Sequence, residues 1–454
     1  MKTNTLEETK HTHAPGFFKV EQINGRWCFR DPEGNPFFST GICSISAKGF
    51  YAPDLGYSPY YNHIIKKYKH EKTWAQTTSA RLKKWKFNTI GDGDEHIVAT
   101  GLPYCKKVTM SGHIWNAGKT PDYFSEEWVQ NVDSIASEQV APLAEDHQLI
   151  GYFLDNETHW GPDWGSRHDL FDGYCGMPSE SLGKKTLVRF LKDRYHDDIM
   201  AFNAVWKTHY RSFDELLQVT RFRFFPRNRH VRSDRAAFAF LVATQYFKIC
   251  HQAIRKYDRN HLILGVRYQS YLVPIEVIKA SLPYVDVISV NHYFTRTLFS
   301  APTSAIQKLL GYVCTGDLLE EYYALSGKPV LISECNIRAN DAGLRNTKPS
   351  QIFSPVVKTQ EQRSKRFEKL MRRFISKPYV IGYHWFCYVD EPKTGRYDGE
   401  NSNTGIVNEL DEPYKVLVER LTTVNRCAQE RVTPRPTIKK KSFWKRRGTK
   451  RSSS

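Results

Sequence analysis

The chain has 454 residues, of which 40% are hydrophobic and 13% aromatic, with 66 Lys and Arg against 48 Asp and Glu for a formal net charge of +18. That composition excludes an intrinsically disordered chain, and no apolar run reaches the length needed to cross a bilayer. Eight of the positive charges fall in the short run 439–451, KKKSFWKRRGTKR, so the body is only moderately basic. The charge therefore describes a tail with weak anion or nucleic-acid contact.

Residues 1–16 contain no apolar core of a secretory signal and are expected to be disordered. The nine cysteines form no CxxC pair, and an odd number without framework spacing points to reduced thiols. Together these predict a cytoplasmic protein. Over 17–38 the turn signals Asn24-Gly25 and Glu33-Gly34-Asn35 separate short strands, which predicts a hairpin at the floor or edge of a larger sheet.

From there strand and helix alternate. Strands are predicted over 37–46, 88–93, 103–110, 149–154, 261–268, 285–293, 329–334 and 380–389. Helices are predicted over 77–87, 125–146, 233–257, 316–325, 360–376 and 414–427. The helix at 125 opens on SEEW, a capping serine followed by acids. An insertion over 159–225, rich in Trp, Gly, Asp and Pro and then in short helices, follows the fourth strand, where it would lie over the mouth of the sheet. Eight strands in this alternation predict an α/β fold of the (β/α)8 TIM-barrel type, spanning 17–430, with the short N-terminal hairpin at one end and a basic tail over 431–454 at the other.

Two stretches share one grammar. LIGYFLDNETHW (149–160) is apolar for six residues and then presents Asp155, Asn156 and Glu157, while KPVLISE (328–334) climbs through apolar residues to Ser333 and Glu334. In a parallel barrel such strand ends carry the chemistry. Two carboxylates so placed meet the needs of glycoside hydrolysis, where one protonates the leaving oxygen and the other attacks or directs water. Asn156 and Glu157 are adjacent, so a bulge or twist is needed if both are to face the site.

Asn156-Glu157, Glu334 and the aromatic strand end Tyr383-His384-Trp385 resemble the retaining glycosidases of clan A. GYFLDNE, ISECNIRANDAGLRNT and GYHWFCYVDEP resemble the β-agarases, glycoside hydrolase family 50. The resemblance implies a glycoside hydrolase acting on β-linked galactan through a covalent intermediate, without a cofactor. Glu157 would be the acid/base and Glu334 the nucleophile, with an ionised Glu334 raising the pKa of Glu157 by like-charge repulsion. It further implies that Asn156 binds the sugar 2-hydroxyl, that Trp385 is the platform under the sugar, and that His292 and Tyr293 orient Glu334. Arg267 would pair with a carboxylate or a sugar hydroxyl. The sequence lacks the family's N-terminal carbohydrate-binding region and adds the basic tail, which leaves a β-galactosidase-like or other β-glycosidase activity open. The alternative is an inactive barrel that binds carbohydrate, or nucleic acid through its tail.

Three further features are read as structural. The acidic cluster Asp92, Asp94, Glu95 and His96 lacks a second ligand group with metal-site spacing. Asp155 is as consistent with a structural bond as with catalysis, and Cys335 has no assignable His and Asn partners.

Overall fold

Asn24 and Gly25 take left-handed backbone, with φ +52 and +75, the pair of angles that a two-residue hairpin turn needs. They join β1 (Lys19–Ile23) to β2 (Arg26–Arg30), and β3 (Pro36–Phe37) completes a three-stranded antiparallel sheet. This small sheet docks at the amino ends of the larger one. The Trp27 amide donates to Pro378 O at 2.7 Å, two residues before a main strand begins, and Phe18 and Phe29 pack into an inner cluster with Ile150, Leu264, Leu331 and Ile381.

In this computed structural model the described residues are 16–432, apart from 113–120, 162–167, 224–227, 271, 294–316 and 348–355. The N-terminal stretch 1–15 and nearly all of the predicted basic tail lie outside them, as does the predicted loop carrying His113 and Trp115.

The main sheet is parallel throughout. In chain order its members are β4 (Ser39–Cys43), β5 (Thr89–Ile90), β6 (Tyr104–Lys107), β7 (Leu149–Phe153), β8 (Leu262–Ile263), β9 (Tyr268–Gln269), β10 (Ile288–Asn291) and β11 (Val330–Cys335). The last member, β14 (Val380–Phe386), follows a separate pair made of β12 (Arg338–Ala339) and β13 (Val356–Val357). The strand order is β8-β7-β6-β5-β4-β14-β11-β10-β9. Both faces are covered, so strands such as β7 and β11 are buried at every position.

This corrects the expected fold. The sheet is a curled ladder of nine strands with two ends and is not a clean eight-stranded barrel. The difference arises in the stretch read as one strand over 261–268, which is two short pieces at opposite ends of the ladder: β8 pairs with β7, and β9 pairs with β10. Gly265 at φ +86 and Arg267 at φ +53 interrupt the pleat between them. A left-handed residue cannot continue a strand, so the run turns twice within five residues. One of those turns is what aims Arg267 into the site.

The helices lie on the outer face. Ser125 caps the helix Glu126–Gln139 by accepting from the Trp128 amide at 3.1 Å, and that helix stops before Pro142, short of the predicted 146. The segment between β7 and β8 carries the helices Leu170–Cys175, Leu182–Arg194, Ile199–Trp206 and Arg229–Tyr257 around an aromatic cluster of Phe171, Phe202, Trp206, Phe222 and Phe238. Trp160 stacks on Phe247 at 5.7 Å and so turns the chain from the end of β7 back onto the longest helix. Among the described residues no helix is long and apolar enough to cross a membrane.

Candidate active site

The carboxyl ends of β7, β10 and β11 converge on one amide. Asn291, the last residue of β10, is 1% exposed, and its Nδ2 donates to Asn156 Oδ1 at 3.2 Å and to Glu157 Oε1 at 2.9 Å. Its Oδ1 accepts from the Ser333 hydroxyl at 2.8 Å. Asn156 and Glu157 therefore face the same way although they are adjacent. Glu157 makes this possible with a left-handed backbone, φ +52, while its amide donates to Val266 O at 3.3 Å. Such a conformation costs a non-glycine residue about 1–3 kcal/mol and persists only where the surroundings fix it.

Asp155 points the other way. It is fully buried and accepts from the Ser111 amide at 3.0 Å, the Ser111 hydroxyl at 2.9 Å and the Tyr246 hydroxyl at 2.6 Å. Burial pushes its carboxyl up to about 7 against the pull of these donors. It anchors the strand end to the neighbouring loop and helix.

Glu334 occupies the next position after Ser333 on β11 and is 6% exposed. One carboxylate oxygen accepts from the Arg267 guanidinium and the other from the Tyr293 hydroxyl. Burial raises the Glu334 pKa, while Arg267 and then Tyr293 oppose that rise by favouring the charged form. Tyr293 stays protonated, because burial and then the charges of Glu334 and Glu157 push its phenol well up. Burial acts against the Arg267 charge, but Glu334, Cys43 and Asp92 more than restore it, and its pKa is raised. Arg267 lies 3.6 Å from Asp92 and over the Phe153 ring at 5.2 Å, so it is held on three sides. The result is a buried carboxylate with two fixed donors, beside a second carboxylate that shares an amide with Asn156.

Two of the expected site residues are placed elsewhere. Trp385 is 0% exposed; its indole N–H donates to Thr404 O at 2.8 Å and its ring lies against Phe367 and Arg363, so no face is open to a sugar. Strand alternation is the reason: Tyr383 and Trp385 point to the outer helices, and His384 points inward. His292 also turns outward. Its ring lies 5.0 Å from Phe374, burial lowers its pKa to about 4, and only its backbone amide reaches Glu334, donating to the carbonyl at 2.7 Å.

The inward His384 sits beneath the site. Its Nε2 is 2.9 Å from the Ser39 hydroxyl, and Gly41 and Gly91 leave room for the ring: a Cβ added at either would come within 2.4 Å or 2.7 Å of it. The acidic cluster is consumed by the fold. Asp92 accepts from the Ser44 amide, Asp94 caps the short helix Glu95–Val98, and His96 lies 3.2 Å from Glu71. Among the described residues no cluster of three or more His, Cys, Asp or Glu could hold a metal ion. The Cys335 thiol is buried against His384 O at 3.4 Å, and burial pushes its pKa up, which leaves it inert.

No protein-family model matches the chain. Among curated proteins it is 28% identical over 479 residues to β-agarase A of Vibrio sp. strain JT0107, with 90% of this chain and 45% of the relative covered. The chain is β-agarase-like. It is also 25% identical over 494 residues to β-agarase B of the same organism, covering 90% of this chain and 48% of that one. This β-agarase-like chain thus spans about half the length of the curated relatives it matches. In fold it is similar to an exo-β-agarase with a TM-score of 0.74 at 24% identity, over 93% of this chain and 66% of the other.

Three side chains have places at the site that the sequence does not assign them. Asn291 sits within the recognised polar end of a strand, but nothing in one sequence marks it as the hub. Asp92 is masked by its acidic neighbours. Phe386 is the aromatic that approaches the site, partly exposed with its ring 6.4 Å from Tyr293, and counting inward positions by two from His384 finds it.

Proposed function

We propose that this protein is a retaining glycoside hydrolase that cleaves β-linked galactan of the agarose type or its oligosaccharides. The observation that carries the reading is the Glu334 carboxylate, fixed by Arg267 and Tyr293, in a site where Glu157 and Asn156 share the Asn291 amide. The substrate class comes from the named activity of the curated relatives.

In this reading Glu334 attacks the anomeric carbon while Glu157 gives its proton to the departing glycosidic oxygen. The C–O bond to the leaving sugar breaks, and an α-linked glycosyl ester forms on Glu334. Arg267 and Tyr293 loosen their hold on the Glu334 oxygens as the attacking carboxylate loses its charge. Water then loses a proton to Glu157 and attacks the same carbon, which frees Glu334 and leaves the product in the β configuration. Asn156 and Asn291 supply amide groups beside the reacting centre, where bonds to a sugar hydroxyl strengthen in the transition state.

The test is proton NMR of agaro-oligosaccharide hydrolysis, followed before mutarotation sets in. The β-anomer is expected first. Initial release of the α-anomer would mean inversion and remove the covalent step, and no cleavage across agaro-oligosaccharides and aryl β-glycosides would overturn the reading.

A further inference from the structure

The loops that leave β4 and β14, neighbours in the ladder, meet beyond the carboxyl ends of their strands, where Phe50 of the first receives Arg396 of the second. In the second loop the Gly399 amide donates to Arg396 O at 2.8 Å and the Arg396 amide to Glu400 O at 2.9 Å. Residues 396–399 therefore close a tight turn, and Tyr397 stands at its second position. Turns favour proline or small polar residues, each for a backbone reason, and an aromatic ring adds nothing to the turn itself. Yet Tyr397 is 73% exposed. The ring is therefore free to meet a ligand at the end of the sheet where the turn stands.

The ring is also held rather than loose. The Arg396 guanidinium lies over it at 5.8 Å and over Phe50 at 5.5 Å, a cation between two aromatic faces. Arg396 is in turn fixed by Asp398 at 2.8 Å, Glu400 at 2.9 Å and the buried Glu391 at 3.5 Å. One face of the Tyr397 ring is thus occupied by the cation that positions it, and the rest is open. The loop that carries the ring follows the carboxyl end of β14, where Phe386 lies 6.4 Å from Tyr293, so the turn stands on the same end of the sheet as Glu334.

We propose that Tyr397 is a stacking platform for an outer sugar unit of the bound oligosaccharide, pre-set by Arg396. A hexose presents an apolar C–H face, whose positive edge suits the negative face of an aromatic ring. Because Arg396 already lies over one face of the ring, less conformational freedom is lost when a sugar settles on the other. The platform lies off the reacting bond, so it favours longer chains without entering the chemistry. This inference rests on the hydrolase reading above and adds where its substrate extends.

The experiment uses calorimetric titration of agaro-, galacto- and cello-oligosaccharides of increasing length into Glu334→Ala protein, alone and combined with Tyr397→Ala or Tyr397→Phe. Turnover of an aryl β-glycoside is measured for the Tyr397 variants in the otherwise unaltered chain. Tyr397→Ala is expected to weaken the longest ligand roughly tenfold and the shortest less than about twofold, with Phe restoring affinity and aryl-glycoside kcat unchanged. Equal affinity at every length overturns the platform while leaving the hydrolase reading intact. A Tyr397-dependent affinity seen only for a non-galactan ligand upholds the platform and overturns the galactan assignment. If no oligosaccharide binds, both fall.

Discussion

Replacing Glu334 with Ala lowers kcat on aryl β-glycosides by at least about a thousandfold, and azide restores turnover with an α-glycosyl azide as product. The loss follows from removing the attacking oxygen. The rescue follows from what is left behind: Arg267 and Tyr293 still point two donors at the space the carboxylate held, and a small anion is the natural occupant. The anomer of the azide decides the role. Azide entering from the Glu334 side gives the α product, whereas a β product would mean that Glu334 is the acid/base and Glu157 the nucleophile. The variant folds with a buried guanidinium that keeps Asp92 at 3.6 Å as its remaining acidic partner, so melting is measured alongside turnover.

Arg267→Met has the second largest effect. Methionine matches much of the length of the arginine stem but leaves Glu334 buried with no cation on it, a change that costs about 3–5 kcal/mol where a buried pair is broken. The sign on catalysis follows from the carboxylate. Burial already raises the Glu334 pKa and Arg267 opposes it, so removing Arg267 raises it further. A nucleophile must be ionised, so the acid limb of kcat/KM against pH moves to higher pH, and activity near neutrality falls. An acid limb that stays in place, with activity simply scaled down, would show that Arg267 supports the fold and not the charge of Glu334.

The strand ends were legible because burial writes itself into sequence. A run of six apolar residues that stops at Asp155, Asn156 and Glu157 has few other meanings in a parallel sheet, and the need for a local twist there followed from the two-residue period alone. The structure meets that need with the left-handed Glu157. In β14 the same period sends Trp385 outward, where it is fully buried and cannot be the expected platform, and Phe386 toward the site. His292 misled for a related reason: the register between β10 and β11 shifts after Val290, and Tyr293, not His292, turns back to Glu334.

The broken fifth strand was illegible for a different reason. HLILGVRY has the composition of a single strand, and only the backbone angles of Gly265 and Arg267 divide it. Arg267 is not a residue type from which a left-handed conformation is expected. Contacts made after folding, to Glu334, Asp92 and the Phe153 ring, hold it there. Asn291 belongs to the same class: its importance lies in three partners from two other strands, and one sequence does not show them.

The most direct measurement is covalent trapping. The unaltered protein is incubated with a 2-deoxy-2-fluoro-β-galactosyl fluoride or the corresponding agaro-oligosaccharide derivative, digested, and mapped by mass spectrometry. A single fluorosugar on the peptide containing Glu334, with the sugar lost on addition of an acceptor, is the predicted result. Label on the peptide containing Glu157, or cleavage of substrate with no label anywhere and release of the α-anomer, would contradict the account.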